Sequence, residues 1–249
     1  MAARPDSSPA GKEFDMLLDA SPYSEHLREA IKATTSENLT VLDIGCGPEL
    51  RDLRLLREMR VPNLVGVDIM SRIDPSVRKG QIDYVCCDVD SLGLPIPDES
   101  FDFIIMDNVI EHLYDPRRLL TECHRVLRKG GSIVVLTPNQ ARLINRVRLI
   151  LGRSVYYPLD IWLGVRKEHI TKKGRIVFAG HIREYTVEEL KELLSLTGLQ
   201  TESVRLYPAA RPSLREEKSK SRLVLSLYNL AERVLPGSGY MISIHAKKA

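Results

Sequence analysis

The chain has little of what staples a small secreted domain. Its 249 residues include four cysteines, Cys46, Cys86, Cys87 and Cys123. None forms a Cys-x-x-Cys pair, which excludes a zinc or redox motif of that spacing and favours free thiols over a disulfide framework. Three of them lie in or beside apolar runs, so reduced core thiols are expected. There is one tryptophan. No apolar run is long enough to span a bilayer: the longest, RLVLSLYNLAERVL (222–235), is too short and too charged. MAARPDSSPAGK at the start has no apolar core and is no secretory signal, so residues 1–12 are expected to be a disordered leader and the protein cytoplasmic. Neither sign of charge dominates. Lysine and arginine number 36 against 33 acids, a net charge of +3, which does not mark a dedicated nucleic-acid binder.

What is present is an alternation. Strand-like runs, LTVLDIG (39–45), NLVGVDI (63–69), IDYVCCDV (82–89), FDFIIMD (101–107) and SIVVLTP (132–138), are separated by helical patterns. One helix is expected to start at Pro48 and carry Leu50, Leu53, Leu56 and Met59. Another starts at the Asp115-Pro116 cap, carries Leu119, Leu120, Cys123 and Leu127, and stops at Gly130-Gly131. Thr186 to Glu189 reads as a capping box, with Gly198 ending that helix and LQTESVRLY (199–207) following as a strand. The turn PGSG then leads into YMISIHA (240–246). Continuous apolar strands alternating with helices imply an α/β domain with a mostly parallel sheet covered on both faces. The expected organisation is a single domain over 13–249, with 139–180 and 208–236 as cap or acceptor-site insertions.

The first strand ends in VLDIGCG. Two glycines one residue apart at a strand end mark a place where a ligand approaches backbone. A phosphate loop would need a Gly-Lys-Ser/Thr register that is absent. A dinucleotide turn would need a third glycine where Leu50 stands, and Glu49 would sit beside the phosphate. A nicotinamide-dependent oxidoreductase is therefore the disfavoured rival. S-adenosylmethionine carries no phosphate and is a cation. It suits a row of strand-end acids, and the chain supplies one after each strand of its first half: Asp43, Asp68, Asp88 and Asp107.

VLDIGCGPE, VGVDI, CDVDSLGLPIPDESFDFIIMDNVIEHL and HRVLRKGGSIVVLTPN together resemble the successive motifs of class I S-adenosylmethionine-dependent methyltransferases, in the broad group that includes the ubiquinone and menaquinone biosynthesis methyltransferases. The resemblance covers roughly residues 39–139. It implies a Rossmann-like, doubly wound sheet of seven strands, with the last strand antiparallel and inserted before the sixth. It also implies a methyltransferase using S-adenosylmethionine and yielding S-adenosylhomocysteine. By the same resemblance Asp43, Ile44, Gly45 and Gly47 line the methionine end, Asp68 takes the ribose hydroxyls and Ile69 packs on the adenine. Asp88 and Val89 read the adenine edge, and Asp107 and Asn108 lie beside the sulfonium. A non-catalytic, methyltransferase-like binding protein is the other rival.

The acceptor side is read from single residues. His112, in NVIEHLYDP after the fourth strand, suits a general base. Its neighbour Glu111 suits an orienting role. Some related O-methyltransferases carry an acid three residues before such a Glu-His pair and bind a divalent cation. Asn108 stands there, so no metal is expected. His181, in GHIREYT, is either a second base or an anchor for the returning chain. Residues 141–153 form a basic amphipathic segment, read as a cap helix with solvated arginines or as a contact for a membrane surface. The expected partner is a small-molecule, lipid or glycan acceptor, and the chain is expected to be a monomer or homodimer.

Overall fold

The computed structural model describes residues 22–34, 38–48, 50–70, 82–155, 181–208, 230–231 and 234–249. The expected leader, Glu49, most of the two insertions and most of the apolar stretch 222–235 lie outside these residues. The described elements are α1 (Pro22–Ala33), β1 (Thr40–Ile44), α2 (Arg51–Glu58), β2 (Asn63–Asp68), β3 (Ile82–Cys86) and β4 (Phe101–Asp107). A short 3-10 turn (Ile110–His112) follows, then α3 (Pro116–Val126), β5 (Leu127–Pro138), α4 (Leu143–Ile150), α5 (Val187–Leu196), β6 (Leu199–Tyr207) and β7 (Met241–Lys248).

The strands form one sheet in the order β3-β2-β1-β4-β5-β7-β6. β1 pairs in parallel with both β2 and β4, and β4 with β5. β7 runs antiparallel between β5 and β6. The chain moves outward from β1 to β3, then returns to β4 on the other side of β1. That reversal opens a crevice beyond the carboxyl ends of β1 and β4, where open α/β sheets take their ligands.

Side-chain alternation on the central strands builds a core on each face. Leu42, Ile44, Ile104, Met106, Ile133 and Val135 point one way, under Leu119, Leu120 and Cys123 of α3 and Leu190 and Leu194 of α5. Val41, Phe103, Ile105, Val134 and Leu136 point the other way, against Leu27 and Ile31 of α1 and Leu53 and Leu56 of α2. Each fully buried side chain of this kind contributes about 1.5–3 kcal/mol. Helix α1 also docks by a polar contact, with His26 Nδ1 2.7 Å from Ser243 Oγ on β7.

Local signals held at several ends. The Asp115 side chain accepts the Arg118 backbone N–H, with Pro116 at the first helical position. The Thr186–Glu189 capping box is complete. Other boundaries differ from expectation. Helix α2 starts at Arg51, because Leu50 sits in the left-handed region at φ 50° and breaks the helical run from Pro48. Helix α3 ends at Val126 rather than at the glycines. The chain turns directly into β5, where Leu127 pairs with Phe101, and Gly130-Gly131 lie within that long strand at a register shift. β3 stops at Cys86, so Asp88 lies in the turn beyond it. Cys46, Cys87 and Cys123 are buried free thiols, while Cys86 is exposed.

Candidate active site

Gly45 and Gly47 both take positive φ, 73° and 64°, which an L side chain adopts only with strain. The turn after β1 is held by three bonds donated by its backbone N–H groups. Gly45 and Cys46 donate to Val67 O at 2.7 and 3.3 Å, and Gly47 donates to Asp68 Oδ2 at 2.9 Å. Asp68 Oδ1 accepts the Met70 N–H at 2.9 Å. The acid at the end of β2 therefore pins the glycine turn while keeping further lone pairs for a ligand. A Cβ on Gly45 would stand 2.2 Å from Val109 Cγ2, so the loop after β4 closes directly on this turn. A Cβ on Gly47 would meet open space.

The acids gather around this turn. Asp43 is buried, and its Oδ2 has no hydrogen-bond partner. Burial first, then repulsion from Asp52, Asp107 and Asp68, pushes its carboxyl well above the usual range, against the pull of Arg51. Burial also raises Asp52, on the first turn of α2. Asp107 is pushed up to about 8 by burial and by Asp52, and the Asn108 side-chain amide donates to its Oδ1 at 2.6 Å. Asn108 holds φ 54°, a left-handed turn that leads the chain out of β4. Ile69 stands 63% exposed beside Asp68 and presents an apolar surface there. Asp88 accepts from the Asp90 and Ser91 N–H groups and from Ser91 Oγ, and Val89 packs on the core beside it.

These residues fit S-adenosylmethionine. A buried orphan carboxylate oxygen, surrounded by other acids at the mouth of an open glycine turn, lacks a cation. An exposed isoleucine at the next strand end offers a face to a flat ring. Asp52 was not singled out in the sequence. It shares a helix stripe with Leu53 and Leu56, and an acid on such a stripe is the signal that could have found it.

A second cluster sits behind the loop that touches Gly45. Glu111 is fully buried in the 3-10 turn. Its Oε2 accepts the Thr137 hydroxyl at 3.0 Å, while its Oε1 has no partner. Burial pushes it up to about 7. His112 Nε2 lies 4.0 Å from Glu111 Oε1. The His112 and His181 rings meet edge to face, 5.0 Å between centroids. Residues 69 positions apart in sequence are thus brought together. His181 Nδ1 lies 3.0 Å from Glu184 Oε1. Glu184 is buried and takes two bonds from the Arg142 guanidinium, at 2.6 and 3.0 Å. Glu111, His112 and His181 offer ligand atoms within 4.8 Å of one another, the spacing at which a metal ion can be held.

The amphipathic segment differs from the cap-helix expectation. Arg142 is buried on Glu184 rather than solvated, and Arg146 bonds Ala141 O and Pro236 O. Leu149 and Ile150 of α4, and Leu151 after it, are 62, 83 and 63% exposed. Among the described residues no helix is long and apolar enough to cross a membrane.

Residues 42–135 match the family described as a methyltransferase domain. A probable S-adenosylmethionine-dependent methyltransferase of Mycolicibacterium smegmatis is 36% identical over 109 residues, 44% of this chain and 32% of that protein. A ubiquinone biosynthesis O-methyltransferase of Idiomarina loihiensis is 31% identical over 106 residues, 40% of this chain and 42% of that one. The matched stretch thus spans less than half the length of either curated relative. The crystal structure of a SAM-dependent methyltransferase from Archaeoglobus fulgidus superposes with a TM-score of 0.58 at 21% identity, covering 94% of this chain and 98% of that one. It shows the shared fold. The strand-end acids and the glycine turn all lie within the stretch that matches the methyltransferase domain, and the sheet around them has the fold of the Archaeoglobus fulgidus SAM-dependent methyltransferase.

Proposed function

We propose that this chain methylates a hydroxyl oxygen on a small-molecule, lipid or glycan acceptor, and that the His112–His181 pair takes the hydroxyl proton. The observation that carries it is that pair: two half-buried imidazoles in edge contact, one of them, His112, on the loop that packs against the glycine turn. Oxygen methylation is also named for the Idiomarina loihiensis relative.

S-adenosylmethionine, when bound, supplies a methyl group on a cationic sulfonium, already activated for in-line transfer. The residues that would hold it are Asp43, Ile44, Gly45 and Gly47 at the amino-acid end, Asp68 and Ile69 at the nucleoside, Asp88 and Val89 at the adenine edge, and Asp107 and Asn108 near the sulfonium. The chain's own work is then positioning and proton handling. The acid cluster favours a cation electrostatically. The loop from Asn108 to His112 carries the acceptor wall next to the cofactor turn. An imidazole near neutral pH can hold the proton that a hydroxyl loses as it gains the methyl group.

No metal is needed in this scheme. Turnover should be unchanged by a chelator. Loss of turnover restored by a divalent cation would assign Glu111, His112 and His181 to a metal ion instead. The test of the function is transfer of labelled methyl from S-adenosylmethionine to a panel of phenols, catechols, polyprenylated hydroxybenzenes and glycans. Label in a methyl ether is expected. Label on nitrogen or carbon overturns the oxygen reading, and binding of NAD in place of S-adenosylmethionine overturns the family of reactions.

A further inference from the structure

The buried Arg142–Glu184 pair has no place yet in the chemistry. Burying two charges is costly, and apolar residues of similar size are often as stabilising. The pair spans 42 positions, and both members are 4% exposed. Four donors fix the Glu184 carboxylate. Arg142 Nη2 and His181 Nδ1 reach Oε1, at 3.0 Å each, and Arg142 Nη1 and Asn145 Nδ2 reach Oε2, at 2.6 and 3.3 Å. Arg142 is itself oriented by the Asn139 carbonyl at 3.2 Å. One member of this network, His181, also meets the His112 ring edge to face.

Anchoring the chain is already done by other bonds. Ile182 and Arg183 donate their backbone N–H groups to Glu111 O at 2.7 and 3.2 Å. Gln140 donates to Tyr185 O at 2.9 Å, and Asn139 bridges to Tyr185. These bonds pin the segment to the turn after β4 and to the end of β5 without using the imidazole. The His181–Glu184 contact is therefore surplus to anchoring. It acts on the ring. An ionised carboxylate only accepts hydrogen bonds, so Nδ1 must carry the proton, and in the neutral ring Nε2 is then the acceptor. Burial pushes Glu184 up, but the bonds from His181 and Arg142 and the Arg142 charge outweigh it and hold the carboxyl below its usual range.

We propose that Glu184, held by Arg142, is a positioning residue that fixes the Nδ1–H tautomer of His181 and so makes His181 Nε2 the atom that accepts the hydroxyl proton. This rests on the O-methylation reading above and divides its histidine pair: His181 takes the proton, and His112 packs edge-on against its ring. The arrangement follows the general logic in which an acid orients an imidazole that does the proton transfer.

The test uses the full chain, labelled with ¹⁵N-histidine, with S-adenosylhomocysteine as the probe ligand. Two-bond ¹H–¹⁵N spectra read each ring's tautomer directly. Wild type is expected to show His181 as the Nδ1–H form, and Glu184→Gln to lose that form while His112 keeps its own pattern. With the acceptor found by the labelled-methyl assay, Glu184→Gln should lower kcat about tenfold or more with KM for S-adenosylmethionine unchanged. Combining it with His181→Ala should add little, because the two act as one unit. Glu184→Asp should recover part of kcat, and it replaces Glu184→Gln if that variant does not fold. A wild-type tautomer and kcat in Glu184→Gln, or a loss of melting temperature alone, overturns the positioning role. Wild-type turnover in both His181→Ala and His112→Ala overturns instead the proton role of the pair, whatever the tautomer.

Discussion

The two halves of this site are built differently. The cofactor side is made of strand ends. Asp43, Gly45, Gly47, Asp68 and Asp107 each follow an apolar run by a residue or two, and the parallel sheet brings the ends of β1, β2 and β4 together. The side proposed for the acceptor is made of long-range contacts. His112 meets His181 and Arg142 meets Glu184 only because β5, the turn before α4 and the segment before α5 converge. The first half is a cluster of like charges that lacks its counter-ion. The second is a polar network in which two buried oxygens, Glu111 Oε1 and Asn145 Oδ1, lack a hydrogen-bond partner while the Glu184 carboxylate is bonded at both oxygens. Ligand binding should therefore relieve the first half and leave the second nearly unchanged.

The joint between the halves is the contact of Gly45 with Val109, and breaking it should have the largest effect. Gly45→Ala would place a Cβ 2.2 Å from Val109 Cγ2 at a positive φ. A loss of about 2 kcal/mol or more is expected in denaturant unfolding, with loss of S-adenosylmethionine binding on calorimetry. Unaltered stability would mean that the two loops are not packed as described.

Glu111 should give the histidine cluster a pH dependence. Its folded carboxyl titrates at about 7, above its unfolded value, so its contribution to stability is full below the unfolded value and is lost as pH rises through about 7. The amount at stake is about 3 kcal/mol at most. Glu111→Gln should flatten this fall between mildly acidic and alkaline pH in thermal melts. An equally steep fall in the variant would assign it elsewhere.

Asp43→Asn should separate binding from stability. The buried carboxylate destabilises the empty fold when charged, so the amide should leave stability unchanged or raised. Affinity for S-adenosylmethionine should fall by about 1.5–3 kcal/mol, the range for a hydrogen bond to a charged group. Loss of stability with unchanged affinity would reverse the assignment. The smallest effect is expected on the outer face of α4, where Ile150→Glu should change stability by no more than about 0.5 kcal/mol. A larger loss would mean that this exposed side chain is covered.

The difference in construction explains what could be read from sequence. β4, β6, the Asp115-Pro116 start and the Thr186–Glu189 capping box are local signals, and they appear as expected. The start of α2 was misplaced because Leu50 adopts a left-handed conformation that residue type does not announce. The end of α3 was misplaced because pairing of Leu127 with Phe101 outcompetes the glycine stop signal. Strand-end acids are visible one motif at a time. Arg142 and Glu184 are not, because an arginine beside an amphipathic segment looks solvated until its partner, 42 positions away, is brought to it.

The most direct test is calorimetric titration of the full chain with S-adenosylmethionine near neutral pH, repeated in two buffers of different ionisation enthalpy. Burial and the neighbouring acids raise the Asp43 and Asp107 carboxyls, Asp107 to about 8, and a bound cation should lower them again. The expected result is binding accompanied by net proton release to buffer. No binding, or binding with no proton exchange, would contradict a pocket of acids built for a cationic cofactor.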